Sequence, residues 1–270
     1  MCHYFEEDIN GILPEGCIMA ENINKQKRYV FGVPEEGKII FQHPWKLSRG
    51  TCVLNYLRYK DFHNIADIGV NDMYYTKRAK TFADGKIYAV DVFFSENGEI
   101  RDDIICVNNI DKLPDNELDC IIMMDVLEHI ENDKTFFDIA VDKLKNNGGG
   151  GVILITVPAW QFLFSAHDVN LQHLRRYSRK QLMSLINHND INIEKCHYFY
   201  TSLFLARLIL SKNKDKFSGN EIGWNYSEKN VITIIIKTIL DIDFWINKIL
   251  DKIGIHLPGL SLFAVCRRKS

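Results

Sequence analysis

Carboxylates and one glycine recur at the ends of short apolar runs. The run Ile65–Ile68 contains Asp67 and is followed at once by Gly69, and the run Ile87–Val90 is followed by Asp91. A buried strand, a tight glycine turn, a helix and a second strand that ends in an acid are the layout of a nucleotide-type site in a doubly wound sheet. The acid accepts hydrogen bonds from ribose hydroxyls there, so the pattern predicts a site for a nucleotide-like cofactor.

The turn after Gly69 lacks two glycines. A full glycine turn would also have glycine at the positions held by Asn71 and Met73. Asparagine tolerates a left-handed backbone, whereas methionine there is costly, and its side chain would take volume that a cofactor needs. Asp72 adds a negative charge that either attracts an ammonium group or faces solvent. We expect cofactor binding to be weakened rather than abolished.

Three histidines are candidate general bases. His129 follows an apolar run, and His167 and His173 lie six residues apart in a polar loop with Asp168 beside the first of them. A neighbouring aspartate raises the basicity of an imidazole, while the alternative for His129 is a capping or orienting role. A metal site needs a third ligand and an open position. The spacing does not favour one, and no metal is predicted.

A short basic cluster follows in the same loop at Arg175, Arg176 and Tyr177. One interpretation is a clamp for an acceptor that carries a phosphate or a carboxylate. The other is a salt-bridged loop packed on the sheet. The sequence leaves both open.

Composition excludes several classes of protein. The 270 residues are 46% hydrophobic and 25% charged with a net charge of −2, which is typical of a globular protein and disfavours nucleic-acid binding through clustered cations. The seven cysteines form no Cys-x-x-Cys pair, which indicates buried thiols in a reducing compartment rather than disulfides or zinc. The first ten residues lack the apolar core of a signal peptide, so a cytoplasmic location is predicted.

Apolar runs that alternate with helical patterns predict an α/β fold, a doubly wound and mostly parallel seven-stranded sheet with helices on both faces. The polar stretch Phe93–Arg101 is predicted to be a short helix or a loop. The predicted strands are Ile65–Ile68, Lys86–Val90, Ile104–Val107, Leu118–Met124, Val152–Val157, Ile191–Phe199 and Gly259–Arg268. Right-handed crossovers bring the ligand to the carboxyl ends of the strands. The residues that fall at that edge are Asp67, Asp91, Asn109, Asp125 and Pro158.

Four segments are expected along the chain. Residues 1–40 form an irregular extension with a short hairpin, residues 41–200 a cofactor-binding core, residues 201–258 a helical insertion, and residues 259–270 the last core strand. A helix that begins near Pro44 would lie over the cofactor mouth. The insertion carries too many charges to cross a membrane. Its helices, within 202–255, form a lid, a dimer face or a patch for peripheral membrane association, or they pack on the sheet edge.

The order of these strand ends resembles the class I (seven-stranded, Rossmann-like) S-adenosylmethionine-dependent methyltransferases. Residues Asp119–Ile130 end in Asp-Val-Leu-Glu-His-Ile, which is similar to the fourth-strand motif of the ubiquinone-biosynthesis-type branch. This resemblance covers roughly residues 41–187. A narrower likeness lies in Ser165–Asp168 and His173–Tyr177. It resembles methyltransferase-like proteins with surface-glycan and polyprenol-linked sugar functions, whose chains also end in apolar helices and a similar last strand.

The resemblance implies a cofactor site on four strand ends. In it, Asp91 accepts charge-assisted hydrogen bonds from both ribose hydroxyls, and Asn109 reads the adenine amino group through its carbonyl oxygen. Gly69 gives the backbone its close approach to the methionine part of the cofactor. The full set of implied cofactor residues is Asp67, Gly69, Asn71, Asp91, Val92, Asn109, Ile110, Asp125 and Val126.

The implied activity is methyl transfer from S-adenosyl-L-methionine to a small-molecule, sugar or lipid-linked glycan acceptor, with O-methylation favoured. A hydroxyl acceptor benefits from a general base, for which His129, His167 and His173 are the candidates. A second hypothesis is a methyltransferase-fold protein with a degenerate turn that serves as a non-catalytic binding or scaffold subunit. A nicotinamide dehydrogenase fits the fourth- and fifth-strand motifs poorly.

Overall fold

A computed structural model of the protein describes residues 43–58, 60, 62–211 and 230–269. The predicted extension at residues 1–40 and its hairpin lie outside the described residues, as does part of the predicted helical insertion at residues 201–258.

The described strands form one sheet of eight. They are β1 Ile65–Ile68, β2 Ile87–Val90, β3 Glu99–Arg101, β4 Ile104–Val107, β5 Cys120–Met124, β6 Val152–Pro158, β7 Ile191–Phe199 and β8 Ser261–Arg268. Their order is β3-β4-β2-β1-β5-β6-β8-β7. The five strands from β4 to β6 in this order pair in parallel, whereas β3 and β8 are antiparallel to their neighbours. The predicted doubly wound, mostly parallel α/β fold is confirmed.

The sheet has one strand more than the seven predicted. Strand β3 lies in the stretch expected to be a helix or a loop, and it forms a hairpin with β4 in which Arg101 faces Ile104. The two residues between them, Asp102 and Asp103, have φ angles of 51° and 59°. Two left-handed residues in a two-residue loop suit the twist of paired strands. The strand is three residues of mostly exposed side chains, so no apolar period marks it in the sequence.

Seven α-helices accompany the sheet in the described part of the chain. They are α1 Pro44–Leu57, α2 Tyr74–Ala79, α3 Asp133–Lys143, α4 Ala166–Asn170, α5 Arg179–Leu185, α6 Thr201–Ser211 and α7 Val231–Lys252. Helix α4 interrupts the loop predicted after β6, and Ser165 and Asp168 form a capping box at its start. A capping box satisfies backbone N–H groups of the first turn, so this five-residue helix is fixed by local hydrogen bonds.

The sheet is covered on both faces. Alternate residues of β5 point to opposite sides: Ile121 and Met123 belong to one apolar cluster, and Cys120 and Ile122 belong to the other. Residues of α3 and α5 complete the first cluster, and residues of α1 and α7 complete the second. Strands buried on both faces read as continuous apolar runs, and for this reason the central strands were predictable.

Helices α6 and α7 lie in the chain between β7 and β8. Helix α7 packs against α1 and β7. The buried carboxylate of Asp243 in α7 accepts hydrogen bonds from the backbone N–H groups of Thr201 and Ser202, at 2.9 and 2.7 Å. This carboxylate therefore caps the start of α6. Within the described residues, no helix combines the length and the apolar character needed to span a bilayer.

Candidate active site

The register of the parallel strands brings the predicted site residues to one edge. Ile68 at the end of β1 lies opposite Val90 of β2 on one side and Met123 of β5 on the other. The residues that follow these strand ends are therefore neighbours. They include Gly69, Asp91 and Asp125, which the sequence analysis placed at this edge.

Gly69 occupies a position that a side chain could not. Its φ angle is 71°, and a Cβ atom on it would lie 2.9 Å from Cγ2 of Val126. The next turn residue, Asn71, is also left-handed with a φ angle of 48°. Its backbone N–H donates to Oδ2 of Asp91 at 3.0 Å, and Oδ1 of Asp91 accepts from Phe93 N–H at 3.3 Å. These bonds fix the Asp91 carboxylate and leave further lone pairs on its oxygens.

Met73 carries the strain that the sequence analysis predicted, but its side chain lies elsewhere. Its φ angle is 60°, a conformation that costs a non-glycine residue about 1 kcal/mol or more. The side chain is 7% exposed and belongs to the apolar cluster that also holds Val53 and Leu57 of α1. The turn thus uses methionine as a core residue, which corrects the expectation that this side chain takes volume from a cofactor.

Asp67 supports the turn from inside the sheet. Its side chain is 2% exposed, and Oδ2 accepts a hydrogen bond of 2.6 Å from the hydroxyl of Thr76 in α2. Burial raises the pKa of Asp67 to about 7, although the Thr76 hydrogen bond lowers it. The carboxyl group therefore ties β1 to the helix that follows the turn.

Helix α1 brings two cations to this edge that the sequence analysis did not single out. Lys46 forms an ion pair with Asp72 in the β1 turn, and Arg49 forms one with Asp125 at the end of β5. The Asp72 side chain is 3% exposed and paired with Lys46, so it does not face solvent, and a role in attracting an ammonium group of the cofactor stays a prediction. The helix was expected to cover the cofactor mouth, and cations one turn apart on such a helix are a signal that could have been read.

Arg49 is the more buried of the two cations, with 7% exposure. Its guanidinium lies 4.7 Å from the ring centroid of Trp45 and donates to the hydroxyl of Ser261 at 3.3 Å. Asp125 has a left-handed φ angle of 55° and accepts from the Thr156 hydroxyl at 3.2 Å. Arg49 therefore joins α1, β5 and β8 beside the predicted methionine end of the site.

The end of β4 offers two asparagines. Asn109, the predicted adenine reader, is exposed, and its Oδ1 accepts from Asp111 N–H at 3.2 Å. The adjacent Ile110 is buried. Oδ1 of Asn108 is buried and has no hydrogen-bond partner among the described residues, so Asn108 is a further candidate that sequence reasoning missed. Val92, a further predicted cofactor residue, directly follows Asp91 and is half-buried.

The three candidate histidines differ in their burial and in their hydrogen-bond partners. His167 is exposed, whereas Nδ1 of His173 lies 3.0 Å from Oδ1 of Asp168. Asp168 is fully buried and also accepts from Arg176 Nε at 2.7 Å. Burial alone would raise the pKa of Asp168, but the hydrogen bonds from His173 and Arg176 bring it below its usual range. The predicted histidine–aspartate pair exists, and His173 is its histidine.

His129 lies against His173, with 4.8 Å between the ring centroids. Nδ1 of His129 lies 3.2 Å from the carbonyl oxygen of Gln172. Burial lowers the pKa of His129 to about 4, and the nearby imidazole of His173 adds to the effect. His129 is therefore a neutral imidazole at pH 7.

The predicted substrate clamp is held within the protein. Arg175 donates to Oδ2 of Asp133 at 3.0 Å, and the hydroxyl of Tyr177 donates to the same oxygen at 2.7 Å. Arg176 is buried against Asp168 and also donates to the carbonyl oxygen of Ala159. These contacts are those of a salt-bridged loop packed on the sheet, and the substrate-binding role stays a prediction.

No protein-family model and no curated protein sequence matches the chain. Solved structures do. A proposed methyltransferase of Bacillus halodurans C-125 is 13% identical with a TM-score of 0.51, over 83% of this chain and 100% of that chain. The [4+2]-cyclase SpnF is 13% identical with a TM-score of 0.50, over 88% of this chain and 86% of that one. The N-methyltransferase NodS of Bradyrhizobium japonicum WM9, in complex with S-adenosyl-L-homocysteine, is 14% identical with a TM-score of 0.49, over 85% and 90%.

These likenesses concern the fold. Identities of 13% leave side-chain chemistry undetermined, and one fold hosts many reactions, as a cyclase and a methyltransferase illustrate here. What the strand order, the parallel register and the comparison establish together is that this chain has the Rossmann-like α/β fold seen in methyltransferase structures.

Proposed function

We propose that the protein is an S-adenosyl-L-methionine-dependent methyltransferase. The observation that carries the proposal is the position of the Asp91 carboxylate. It follows β2, lies beside the left-handed turn after β1, and is fixed by the N–H groups of Asn71 and Phe93. A fixed carboxylate at this strand end is suited to accept hydrogen bonds from the two hydroxyls of a cofactor ribose.

The acceptor group is proposed to be a hydroxyl. Methyl transfer from a sulfonium requires in-line approach and exclusion of water, and a hydroxyl also requires that its proton be removed. His129 and His173 lie at the carboxyl edge of the sheet, and the nitrogen that each has left after its Nδ1 contact is Nε2. His167 is exposed, whereas His129 and His173 lie against each other, so we propose His129 and His173 as the histidines that face the acceptor.

A non-catalytic binding or scaffold subunit is the second candidate function. The two ion pairs from α1 favour it, because Lys46 and Arg49 tie down Asp72 and Asp125 where the methionine part of a cofactor would lie. Against it, Asn71 and Met73 reach the required left-handed backbone without glycine. The two candidates differ in whether the cofactor binds.

Calorimetric titration with S-adenosyl-L-homocysteine separates them. Wild-type protein is expected to bind one equivalent. Asp91→Ala is expected to bind at least tenfold more weakly, because charge-assisted hydrogen bonds contribute about 1.5–3 kcal/mol. Asp84→Ala is the matched control, since Asp84 is an exposed carboxylate paired with His63 at the opposite edge of the sheet.

An unchanged affinity in Asp91→Ala would show that the ribose site is misplaced. Absence of binding to the wild type at millimolar ligand would overturn the methyltransferase proposal and leave the scaffold function.

We further propose that the acceptor is lipid-linked and that the protein works at a membrane surface. The outer face of α7 supports this. Its exposed positions from 231 to 249 carry no charged residue, and Thr238 is the one polar residue among them. The exposed apolar residues of this face are Val231, Ile232, Ile234, Ile235, Ile239, Ile242, Trp245, Ile246 and Ile249.

Two polar residues of α7 are buried against the protein, and two more are paired with each other. Asp243 and Asn247 are buried and bond to each other and to the start of α6, and Lys237 is paired with Asp241. A helix with its apolar side outward is suited to lie in the plane of a bilayer interface. Because the exposed positions from 231 to 249 carry no cation, attraction to anionic lipids is not the proposed basis of binding.

Sedimentation with phosphatidylcholine vesicles tests this surface. Binding is expected for the wild type, with little dependence on salt or on added phosphatidylglycerol. Replacing three outer residues, Ile235→Ser/Ile239→Ser/Ile242→Ser, is expected to weaken binding about 100-fold or more, at roughly 1 kcal/mol for each half-exposed side chain. Ile100→Ser on β3, which is 74% exposed, is the control. A wild type that is dimeric and a triple variant that is monomeric would contradict the membrane proposal, because the apolar face would then be a dimer interface.

A further inference from the structure

Three side chains with metal-binding groups meet beside the proposed site. A ligand atom from each of Glu128, His129 and His173 lies within 4.8 Å of the other two. Oε1 of Glu128 is 3.9 Å from Nε2 of His173. The first two residues follow β5, and the third belongs to the loop after α4. That loop is fastened to them, because Leu174 N–H donates to the carbonyl oxygen of Glu128 at 2.8 Å.

Both imidazoles are oriented by a partner on Nδ1. His173 Nδ1 lies 3.0 Å from Oδ1 of Asp168, and His129 Nδ1 lies 3.2 Å from the carbonyl oxygen of Gln172. A carboxylate and a carbonyl oxygen are acceptors only, so Nδ1 is the protonated nitrogen in each ring. In the neutral form of each ring, Nε2 is then the nitrogen with a free lone pair. Histidines that bind metals are held in this way by a carboxylate or a backbone carbonyl on the other ring nitrogen.

Glu128 lacks what a buried carboxyl group requires. It is fully buried, and neither Oε1 nor Oε2 has a hydrogen-bond partner among the described residues. The nearest cations are committed elsewhere, since Arg49 pairs with Asp125 and Arg176 pairs with Asp168. The charged form of a buried carboxyl group is costly unless it is paired or binds a metal. Glu128 is thus an acid whose partner is missing, and it lies beside two free imidazole nitrogens.

We propose that Glu128, His129 and His173 form a binding site for one divalent transition-metal ion. Two imidazoles and one carboxylate suit Zn²⁺, Mn²⁺, Fe²⁺ or Co²⁺, whereas Mg²⁺ and Ca²⁺ prefer oxygen ligands. Bonds of about 2.1 Å place tetrahedral ligand atoms roughly 3.4 Å apart. The three atoms, which lie within 4.8 Å of one another, would therefore have to close in by up to roughly 1.4 Å on binding.

Sequence spacing does not show this site, because the two parts of the ligand set are 44 residues apart (173 − 129). The pair Glu128–His129 belongs to the motif after β5, which resembles a methyltransferase motif. In the sequence, His173 is a candidate general base near Asp168. The fold joins them through the loop that Asp168 anchors, so the aspartate is a positioning residue and not a ligand.

The ion has a role that rests on the proposed function. Three protein ligands leave a position for an acceptor oxygen, and a metal lowers the pKa of a hydroxyl bound to it. The hydroxyl would release its proton to solvent, and its oxygen would form a bond to the methyl carbon. The bond from that carbon to sulfur would break, with the electron pair going to sulfur. The metal would then perform the work that a histidine base performs in the metal-free alternative.

Cobalt titration of chelator-treated protein tests the site without the cofactor or an acceptor. Wild-type protein is expected to bind one equivalent of Co²⁺, seen as visible absorption bands that Zn²⁺ then displaces. Glu128→Gln keeps the side-chain shape and is expected to weaken binding at least 100-fold. Asp168→Asn is expected to weaken it 10- to 100-fold, as loss of an orienting partner does. His63→Ala is the control, a histidine paired with a carboxylate at the opposite edge.

Thermal unfolding gives a second readout. Excess Zn²⁺ is expected to raise the Tm of the wild type and of His63→Ala, and to leave the Tm of Glu128→Gln unchanged, because an ion that binds only the folded state stabilises it. Circular dichroism confirms that each variant is folded. Failure of the folded wild type to bind Co²⁺ and Zn²⁺ would overturn the site, as would equal binding by Glu128→Gln. Titration with S-adenosyl-L-homocysteine on the same metal-free sample tests the proposed function separately.

Discussion

At the scale of single residues, Met73 shows how one position can be strained and still well placed. Its left-handed backbone destabilises the folded state, and burial of its side chain stabilises the folded state by a larger amount. In a glycine variant, the change in backbone strain and the loss of side-chain packing affect stability in opposite directions. Glycine relieves the strain by about 1 kcal/mol, but loss of a buried methionine side chain costs roughly 2–5 kcal/mol. The packing term is the larger.

Met73→Gly is therefore expected to lower the free energy of unfolding by roughly 1–4 kcal/mol, measured by urea denaturation. Its affinity for S-adenosyl-L-homocysteine is expected to change by less than about threefold, because the side chain packs in the core. Asn71→Gly is the matched control, an exposed left-handed residue whose variant should stay within about 0.5 kcal/mol of the wild type. A large gain of affinity in Met73→Gly would place the methionine in the cofactor space.

Asp67 predicts a pH dependence of stability. Burial raises its pKa in the folded protein to about 7, compared with about 3.9 in an unfolded chain. Between these values the folded state holds a proton that the unfolded state has lost, so rising pH favours unfolding. The groups around it are the acids Asp91 and Asp72, the cation Lys46 and the hydroxyl of Thr76.

Asp67→Asn removes this titration and leaves the other groups in place. The free energy of unfolding of the variant relative to the wild type is expected to rise from pH 4 to pH 8, by up to roughly 4 kcal/mol at 1.36 kcal/mol per pKa unit. Urea denaturation across this range measures the difference. A difference that does not vary with pH would contradict the raised pKa.

At the scale of elements, α1 is attached to the carboxyl edge by ion pairs as well as by apolar contacts. The Arg49–Asp125 pair is the more buried, and removal of one partner leaves the other charge unmatched. Arg49→Gln is expected to destabilise the protein by about 2–4 kcal/mol. Adding Asp125→Asn is expected to recover about 1–3 kcal/mol of that loss, in a double-mutant cycle by urea denaturation. Strict additivity of the two single changes would show that the pair contributes nothing.

The elements that the sequence predicted share one property: they are long or apolar enough for packing to set their pattern. Strands β5 and β6 are wholly buried, and their side chains mark them directly. Strand β3 and helix α4 are set by backbone conformation and by local hydrogen bonds at Asp102, Asp103 and Ser165. Such features depend on geometry that residue type indicates only weakly, and both elements were missed.

At the scale of the whole molecule, the sheet is stable at its centre and weak at one edge. Strands β1, β5 and β6 are buried on both faces, whereas β3 is a three-residue edge strand with exposed side chains. Hydrogen exchange read by mass spectrometry is expected to be slowest for the amides of β1, β5 and β6 and fastest, among the strands, for those of β3. Equal protection of β3 and β5 would contradict this order.

The candidate site was predictable in its location and not in its pairings. The strand ends carrying Asp91 and Asp125 follow from topology, which the alternation of strands and helices encodes. The hydrogen-bond and ion-pair partners of the site residues do not follow from topology. Whether Asp168 bonds to His167 or His173, and whether Arg49 reaches Asp125, depends on how a loop and a helix pack over the edge, and no period in the sequence encodes that packing.

Strand β8 lies between β6 and β7 in the sheet but begins 62 residues after β7 ends (261 − 199). On the ribosome, both neighbours are therefore made before the strand that joins them. During that interval β6 and β7 each present an unpaired edge, and such edges recruit strands from other chains. The nascent protein has to be kept apart from its copies until β8 emerges, so its yield in a cell should depend on chaperones that bind extended segments and on a slow rate of synthesis.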